Sequence, residues 1–329
     1  MTLIVRRLLA SSTFAISGTL GGLAQKLQNI IDNNKTCINP EDIEIQNDIE
    51  NYDEIKEEWV DDEEEDRDED LTQKEYYTDE EIKEIQEEKK VLENFYILAK
   101  KIDKNAKGEK LLTALEKGFT ANSKNGGNNK CLIFTESTRT QQYLYRILEQ
   151  TKYKGKIVLF NGSNNDDKSK EIYKNWIEKH KCTDKISGSK TADKRAALVE
   201  YFKDEAEIMI ATEAAAEGIN LQFCSLLVNY DLPWNPQKIE QRIGRCHRYG
   251  QKHDVVVVNF LNTKNAADIR VFELLSEKFK LFDGVFGASD EVLGAIGSGI
   301  DFEKRIAEIL QNCRTEDEIN KSFDELQKA

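Results

Sequence analysis

The stretch IMIATEAAAEGINLQFCSLLVNYDLPWNPQKIEQRIGRCHRYGQ, Ile208 to Gln251, decides the fold. It opens on a short apolar run, Ile208–Thr212, crosses a glycine-bearing loop, and returns as a second apolar run, Ser225–Tyr230. A helix start follows. Asn235 suits an N-cap and Pro236 the first helical position. Gly250 suits the helix's C-terminal stop. Beyond it lies a third apolar run, Val255–Phe260. Working outward towards the N-terminus, Cys131–Thr135 and Lys156–Phe160 read as two more strands. Helical stretches fall at Thr138–Gln150, Lys170–Lys179 and Ala192–Phe202. Strands that are apolar throughout suit a parallel sheet covered on both faces, with helices as crossovers. The expectation is an α/β, doubly wound parallel sheet. Ligands of such sheets bind beyond the carboxyl ends of the strands. Those ends are Thr135, Asn161-Gly162-Ser163, Thr212 and Asp231, all polar or glycine-bearing.

Within the helix, at about 100° per residue, Gln241, Arg245 and Arg248 fall in one arc of about 60°. Ile239, Ile243 and Cys246 fall opposite. The apolar side can pack on the sheet while two guanidinium groups and an amide point away together. Phosphoryl transfer uses such an arrangement, because fixed arginines neutralise the charge that develops on the phosphate. An ordinary solvated face gives the same pattern, so the helix alone does not decide.

The rest of the chain adds what it excludes. It has 329 residues, enough for about two domains, and a formal net charge of −14. The charge is concentrated: residues 41–90 hold 25 acidic against 6 basic residues, and the remainder holds 36 against 41. The acidic total therefore does not exclude a nucleic-acid partner. The run around Asp61–Asp70 self-repels and buries little, so residues 36–77 are expected to be a disordered acidic insert. It reads either as a solvated linker or as an arm that competes with nucleic acid. No apolar run is long enough to span a membrane, and no membrane partner is expected. Arg6-Arg7 before Leu8-Leu9-Ala10 has the form of a signal peptide's start. Ser11, Ser12, Thr13, Ser17 and Thr19 interrupt its apolar region, while Leu9, Thr13, Ile16, Leu20, Leu23 and Leu27 fit a helical stripe, and a packed helix is expected. Six widely spaced cysteines with no Cys-x-x-Cys pair suit reduced thiols in the cytoplasm. His180 with Cys182, and Cys246 with His247, are the only close pairs of metal-ligand type, and no metal site is expected.

The run from Ile210 to Gln251 resembles motifs V and VI of superfamily 2 helicases. The segment Asp231-x-x-Trp234-Asn235-Pro236, followed by Gln241-x-x-x-Arg245-x-x-Arg248-x-Gly250-Gln251, resembles the Swi/Snf-like (RapA-like) branch. Leu132–Thr135 resembles motif IV, and Phe160–Ser163 the next conserved loop. The likeness covers about Lys130–Glu277. It implies a RecA-like helicase C-terminal lobe with flanking helical segments. It implies that Arg245 and Arg248 act as arginine fingers on ATP and that Gln241 helps organise that cleft. Gly218 belongs to motif V, on the ATP side. Thr212 and Asn220 of motif V, with Thr135, Asn161, Gly162 and Trp234, are implied to lie along a nucleic-acid backbone, duplex DNA in this branch. RNA is not distinguishable at this level.

Such motors hold ATP and Mg2+ mainly on a first lobe, with Gly-x-x-x-x-Gly-Lys-Ser/Thr and Asp-Glu-x-His motifs. Neither occurs in these residues. The chain alone is therefore expected to be inactive, with the first lobe supplied in cis or in trans. A non-catalytic module for nucleic acid or protein, derived from such a lobe, is the other reading. The organisation expected is a helical brace over 1–35, the acidic insert, a helical segment over 78–121, the lobe over 122–265 after a flexible boundary at Asn122–Asn129, and a helical extension over 266–329. In that extension Asp268–Phe282 reads as one long helix, Gly284–Gly294 as a glycine-rich turn, and Phe302–Leu310 and Glu316–Leu326 as further helices.

Overall fold

A computed structural model describes residues 11–33, 77–102, 105–181, 183–213, 218–262 and 266–278, then 305–306, 308–309, 312–313 and 315–328. Residues 36–76 of the acidic insert, the turn at 284–294 and part of the helix expected over 302–310 lie outside the described residues.

The chain divides into two units, one of residues 3–105 with 137–140, the other of 106–136 with 141–329. In the first, helix α1 (Thr13–Asn33) packs on helix α2 (Asp79–Lys100) through Ala15, Ile16 and Leu20 against Leu92, Tyr96 and Ala99. Thr78 starts α2 with a capping box: its hydroxyl accepts from Glu81 N, and the Glu81 carboxylate accepts from Thr78 N at 2.8 Å. Two orphan donors of the first turn are thereby satisfied.

The second unit opens with α3 (Ala106–Lys124). The helical segment expected over 78–121 is thus two helices, and α3 goes with the sheet. Leu111 and Leu115 are fully buried, and a Cβ at Gly118 would meet Leu226 at 3.0 Å, so glycine lets the helix approach the sheet closely. The stretch expected as a flexible boundary is likewise tied down. Asn122 is wholly buried, accepts from Ser225 Oγ at 2.7 Å and donates to Asn128 O at 2.7 Å.

Five strands follow: β1 (Cys131–Thr135), β2 (Ile157–Phe160), β3 (Ile208–Thr212), β4 (Leu226–Asn229) and β5 (Val256–Asn259). They form one parallel sheet in the order β2-β3-β1-β4-β5. The doubly wound parallel sheet is as expected, with strand ends within a residue of those read from the apolar runs. β1 to β4 are buried throughout, which is why their residues are apolar without alternation. Helices α4 (Thr138–Glu149), α5 (Asp167–His180), α6 (Lys190–Asp204) and α7 (Pro236–Cys246) make the crossovers. Phe134, Phe160, Phe202 and Trp176 lead the core between the sheet and α5–α7. Each such side chain contributes about 1.5–3 kcal/mol on burial.

Beyond the sheet, α8 (Ala266–Glu273) passes into a π-helical turn, Leu274–Lys278, where a continuous α-helix is expected from the periodicity. Helix α9 (Glu316–Lys328) follows, and Arg270 joins α8 to it through Asn320 and Asp324 at 3.0 Å each.

Candidate functional site

The carboxyl ends of β1 and β3 are in register, with Thr135 beside Thr212. Chain order reverses between β1 and β4, so the crevice where such sheets take ligands falls at Thr135 and Asp231. Here that crevice is filled by the protein's own groups. Asp231 accepts from Thr135 Oγ1 at 2.7 Å, Glu136 N at 3.0 Å and Lys107 Nζ at 2.7 Å. The Lys107 ammonium also lies 4.4 Å from the Tyr230 ring centre. Burial, then the Asp231 and Tyr143 charges, pushes the Tyr230 phenol far up, so it stays neutral.

Helix α7 is held against this cluster. Asn235 caps it by accepting from Gln237 N at 2.9 Å. Ile239, Arg242, Ile243 and Cys246 are buried along one side. The arginine in that stripe is 1% exposed. Its Nε donates to Glu213 at 2.7 Å, its Nη2 pairs with the same carboxylate oxygen, and its Nη1 donates to Asn229 Oδ1 at 3.0 Å and Asp231 O at 2.7 Å. The guanidinium plane stands 4.8 Å from the Phe134 ring centre. Arg242 was not among the expected site residues. Its sequence signal is its place, three after Ile239 and four before Cys246, on the apolar side of the wheel.

The opposite side carries the expected residues. Gln241 is exposed and Arg245 half-buried. Arg248 is exposed but not on the helix, which ends at Cys246 with His247 at φ −92°, ψ 87°. The expected common helical arc therefore stops at Arg245, and Gly250 does not end the helix. The stop comes from Gln251, whose side-chain amide donates to Cys246 O at 3.1 Å, Gln222 O at 2.8 Å and Cys224 O at 3.3 Å. The two N–H groups of one amide are thus shared among a terminal helix carbonyl and two loop carbonyls. Arg248 folds back, its Nε donating to Gly244 O at 3.1 Å, and Gly250 takes φ +99° in the turn.

The expected nucleic-acid residues separate by exposure. Gly162, Gly218 and Asn220 are exposed. Thr135, Asn161, Thr212 and Trp234 are buried. Thr135, expected near a backbone phosphate, has given its hydroxyl to Asp231. Asn161 and Asn164 exchange bonds, each backbone N–H donating to the other's Oδ1 at 2.7–2.8 Å. Gln141 fixes this turn by accepting from Asn161 Nδ2 at 3.0 Å while donating to Phe160 O and Ile210 O. The result pushes Gly162 and Ser163 out as the tip. Gly218 has φ +74° with open space around a would-be Cβ, so conformation, not room, requires glycine.

The close pairs of metal-ligand type are otherwise engaged. His180 Nε2 is 2.9 Å from Glu200, and Cys182 lies outside the described residues. Cys246 is wholly buried, its thiol pushed well up by contact with Cys224 and by burial, so it stays protonated.

Residues 139–250 match the helicase conserved C-terminal domain family. An uncharacterized ATP-dependent helicase of Bacillus subtilis, YqhH, is 37% identical over 199 residues, 60% of this chain and 30% of that protein. The RNA polymerase-associated protein RapA of Serratia proteamaculans is 33% identical over 132 residues, 37% of this chain and 13% of that protein. The C-terminal part of the Fun30 ATPase domain superposes with a TM-score of 0.36 at 19% identity, covering 68% of this chain and 67% of that one. The chain thus spans less than a third of the length of either curated relative. The fold and the matched segment define a helicase C-terminal domain. Beyond that, the chain is similar to an ATP-dependent helicase and to RapA over parts of their length.

Proposed function

We propose that this domain is the second half of an ATP-driven nucleic-acid translocase and completes the ATP site with Arg245 and Arg248. One observation carries the reading. Helix α7 is locked to the sheet on one side while its other side and the following turn present Gln241, Arg245 and Arg248. Guanidinium and amide donors on a rigid support suit the oxygens of a transferring phosphoryl group. When ATP is bound, these groups neutralise charge on its terminal phosphate. Gly218 gives the loop beside them its backbone freedom. Among the described residues no group of three or more His, Cys, Asp or Glu side chains is placed to hold a metal. Mg2+ would be held by the phosphates and a first lobe.

The exposed Gly162 and Asn220 are the residues we assign to a nucleic-acid backbone, preferably duplex DNA. Buried Thr135, Asn161, Thr212 and Trp234 shape that surface from beneath. Such contacts are sequence-tolerant and weaken with salt. The test joins this chain to a nucleotide-binding lobe, in cis or in trans, and measures ATP hydrolysis with and without duplex DNA or duplex RNA. Stimulated turnover that Arg245→Ala abolishes supports the assignment. Absence of turnover with the lobe supplied leaves a binding module instead.

A further inference from the structure

Helix α2 meets α1 along one side, through Leu92, Tyr96 and Ala99, and none of its residues is fully buried. Six large apolar side chains stand exposed among the described residues, and five of them fall between 91 and 102. They are Val91, Phe95, Ile97, Leu98 and Ile102, each 44–57% exposed. On the wheel Val91, Phe95 and Leu98 share an arc of about 60°, about 100° round from the side that meets α1. Ile102, just past the helix end, continues their alternating steps of four and three residues. Traced backwards, the same steps reach Glu88 and Glu84, both exposed. Glu80 and Glu87, also exposed, lie within about 50° of that line. The Lys89–Glu93 salt bridge of α2, at 2.8 Å, involves none of these four carboxylates and sits on the other side of the wheel. The result is one continuous seam, carboxylate in its first half and apolar in its second.

We propose that this seam is a docking surface for a cationic amphipathic helix of a partner protein. The partner's apolar side chains cover Val91, Phe95, Leu98 and Ile102, and its lysines or arginines meet Glu80, Glu84, Glu87 and Glu88. This does not depend on the function proposed above. The spacing identifies a helix as the occupant, since steps of four and three are those of a seam between two helices. The carboxylates identify its charge: they sit in the same seam positions as the apolar residues, so whatever covers one half faces the other. A second copy of α2 is a poor fit. Laid parallel, it sets carboxylates against carboxylates. Laid antiparallel, with the apolar halves matched, it leaves both sets of carboxylates unmet by the other seam. Four half-exposed side chains make a small patch, so the complex is weak and transient.

The test uses the whole chain and a labelled synthetic peptide of about 20 residues, long enough to form a helix. The peptide carries four leucines at steps of four and three, continued by four lysines at the same steps. Fluorescence anisotropy reads its Kd. Phe95→Ser/Leu98→Ser weakens binding about tenfold or more. Glu84→Gln/Glu88→Gln weakens it about threefold and flattens its dependence on salt. Ile97→Ser is the internal control: equally exposed but about 120° off the seam, it leaves Kd within about twofold. All these side chains are at the surface, so Tm is unchanged throughout. A peptide with glutamates in place of the lysines binds at least about tenfold more weakly.

Failure of the wild type to bind overturns the proposal. So does binding that none of the seam variants weakens, which would assign the peptide to the acidic residues 41–70. Equal losses in Ile97→Ser and in the Phe95/Leu98 variant would show apolar stickiness without a seam. Sedimentation of the chain alone covers the remaining occupant: a dimer that Phe95→Ser/Leu98→Ser dissolves would make the surface a contact between copies and refute the cationic partner.

Discussion

Arg242 and Arg245 lie three residues apart on one helix and meet opposite fates. Arg242 faces the sheet and has its donors consumed by Glu213, Asn229 and Asp231. Arg245 faces away and is half-buried. Chemistry does not separate them; the 3.6-residue period does. A guanidinium on the apolar side must be paired within the fold to be tolerated, whereas one on the polar side keeps contact with solvent. The two sides of α7 are therefore a scaffold and a tool made from the same residue type.

The contrast can be tested by removing each arginine in turn. Arg245→Ala should lower ATP turnover of the lobe-joined enzyme by 10³-fold or more, the range known for arginine fingers. It should leave Tm almost unchanged. Turnover within tenfold of wild type would erase the distinction between the two sides. Arg242→Ala should do the reverse to the fold, since it strands Glu213 beside a buried cluster. A cost of about 3–5 kcal/mol is expected for breaking one partner of a buried pair, read by urea denaturation of the chain alone. A cost under about 1 kcal/mol would mean that water reaches the pair.

Gly218→Val sharpens the comparison on the loop. Its φ of +74° lies where a branched side chain is strained, although the space is open. The expected cost is about 1–2 kcal/mol, and Gly218→Asn should cost less. Equal Tm for the two variants would show that the loop relaxes to another backbone.

The smallest effect belongs to Glu200, whose side chain is 20% exposed but whose lysine partners lie at the surface. Trp176, Lys179, His180 and Lys185 all donate to it. Burial alone would raise its pKa, but hydrogen bonds from Lys179, His180, Trp176 and Lys185 outweigh that and hold the carboxyl well below its usual range. A depressed carboxylate pKa gives stability that is present above the unfolded value of 4.5 and is lost as pH falls below it. Glu200→Gln should remove about 1 kcal/mol at neutral pH, after allowance for solvent screening. It should also flatten the acid limb of a Tm-against-pH curve. An unchanged acid limb would assign that limb to other carboxylates.

The sheet was legible because buried parallel strands announce themselves as unbroken apolar runs. Cys131–Thr135 and Ile208–Thr212 are read to the residue. The start of α7 was legible from Asn235-Pro236, whose effect is local. Its end was not, because the amide that satisfies it comes from Gln251 in the next turn. The ligand edge was half legible. Polar strand ends mark it, yet Thr135 is consumed by a carboxylate 96 positions away, and periodicity carries no information about such partners. Arg242 was visible as an anomaly on the wheel, though the identity of its acceptors was not. Gln141 and Asn164 gave no signal at all, since their work is to lock a turn through bonds that only the folded sheet brings together.

The strand order has a consequence for synthesis. β1 occupies the centre of the sheet and is flanked by β3 and β4, both of which are translated well after it. The apolar run Cys131–Thr135 must wait for about 75–95 further residues before either neighbour exists, roughly 5–20 s at ribosomal speed. During that interval it is an open edge of the kind that seeds aggregation. Yield should therefore respond to growth temperature and chaperone supply more than to the stability of the finished sheet.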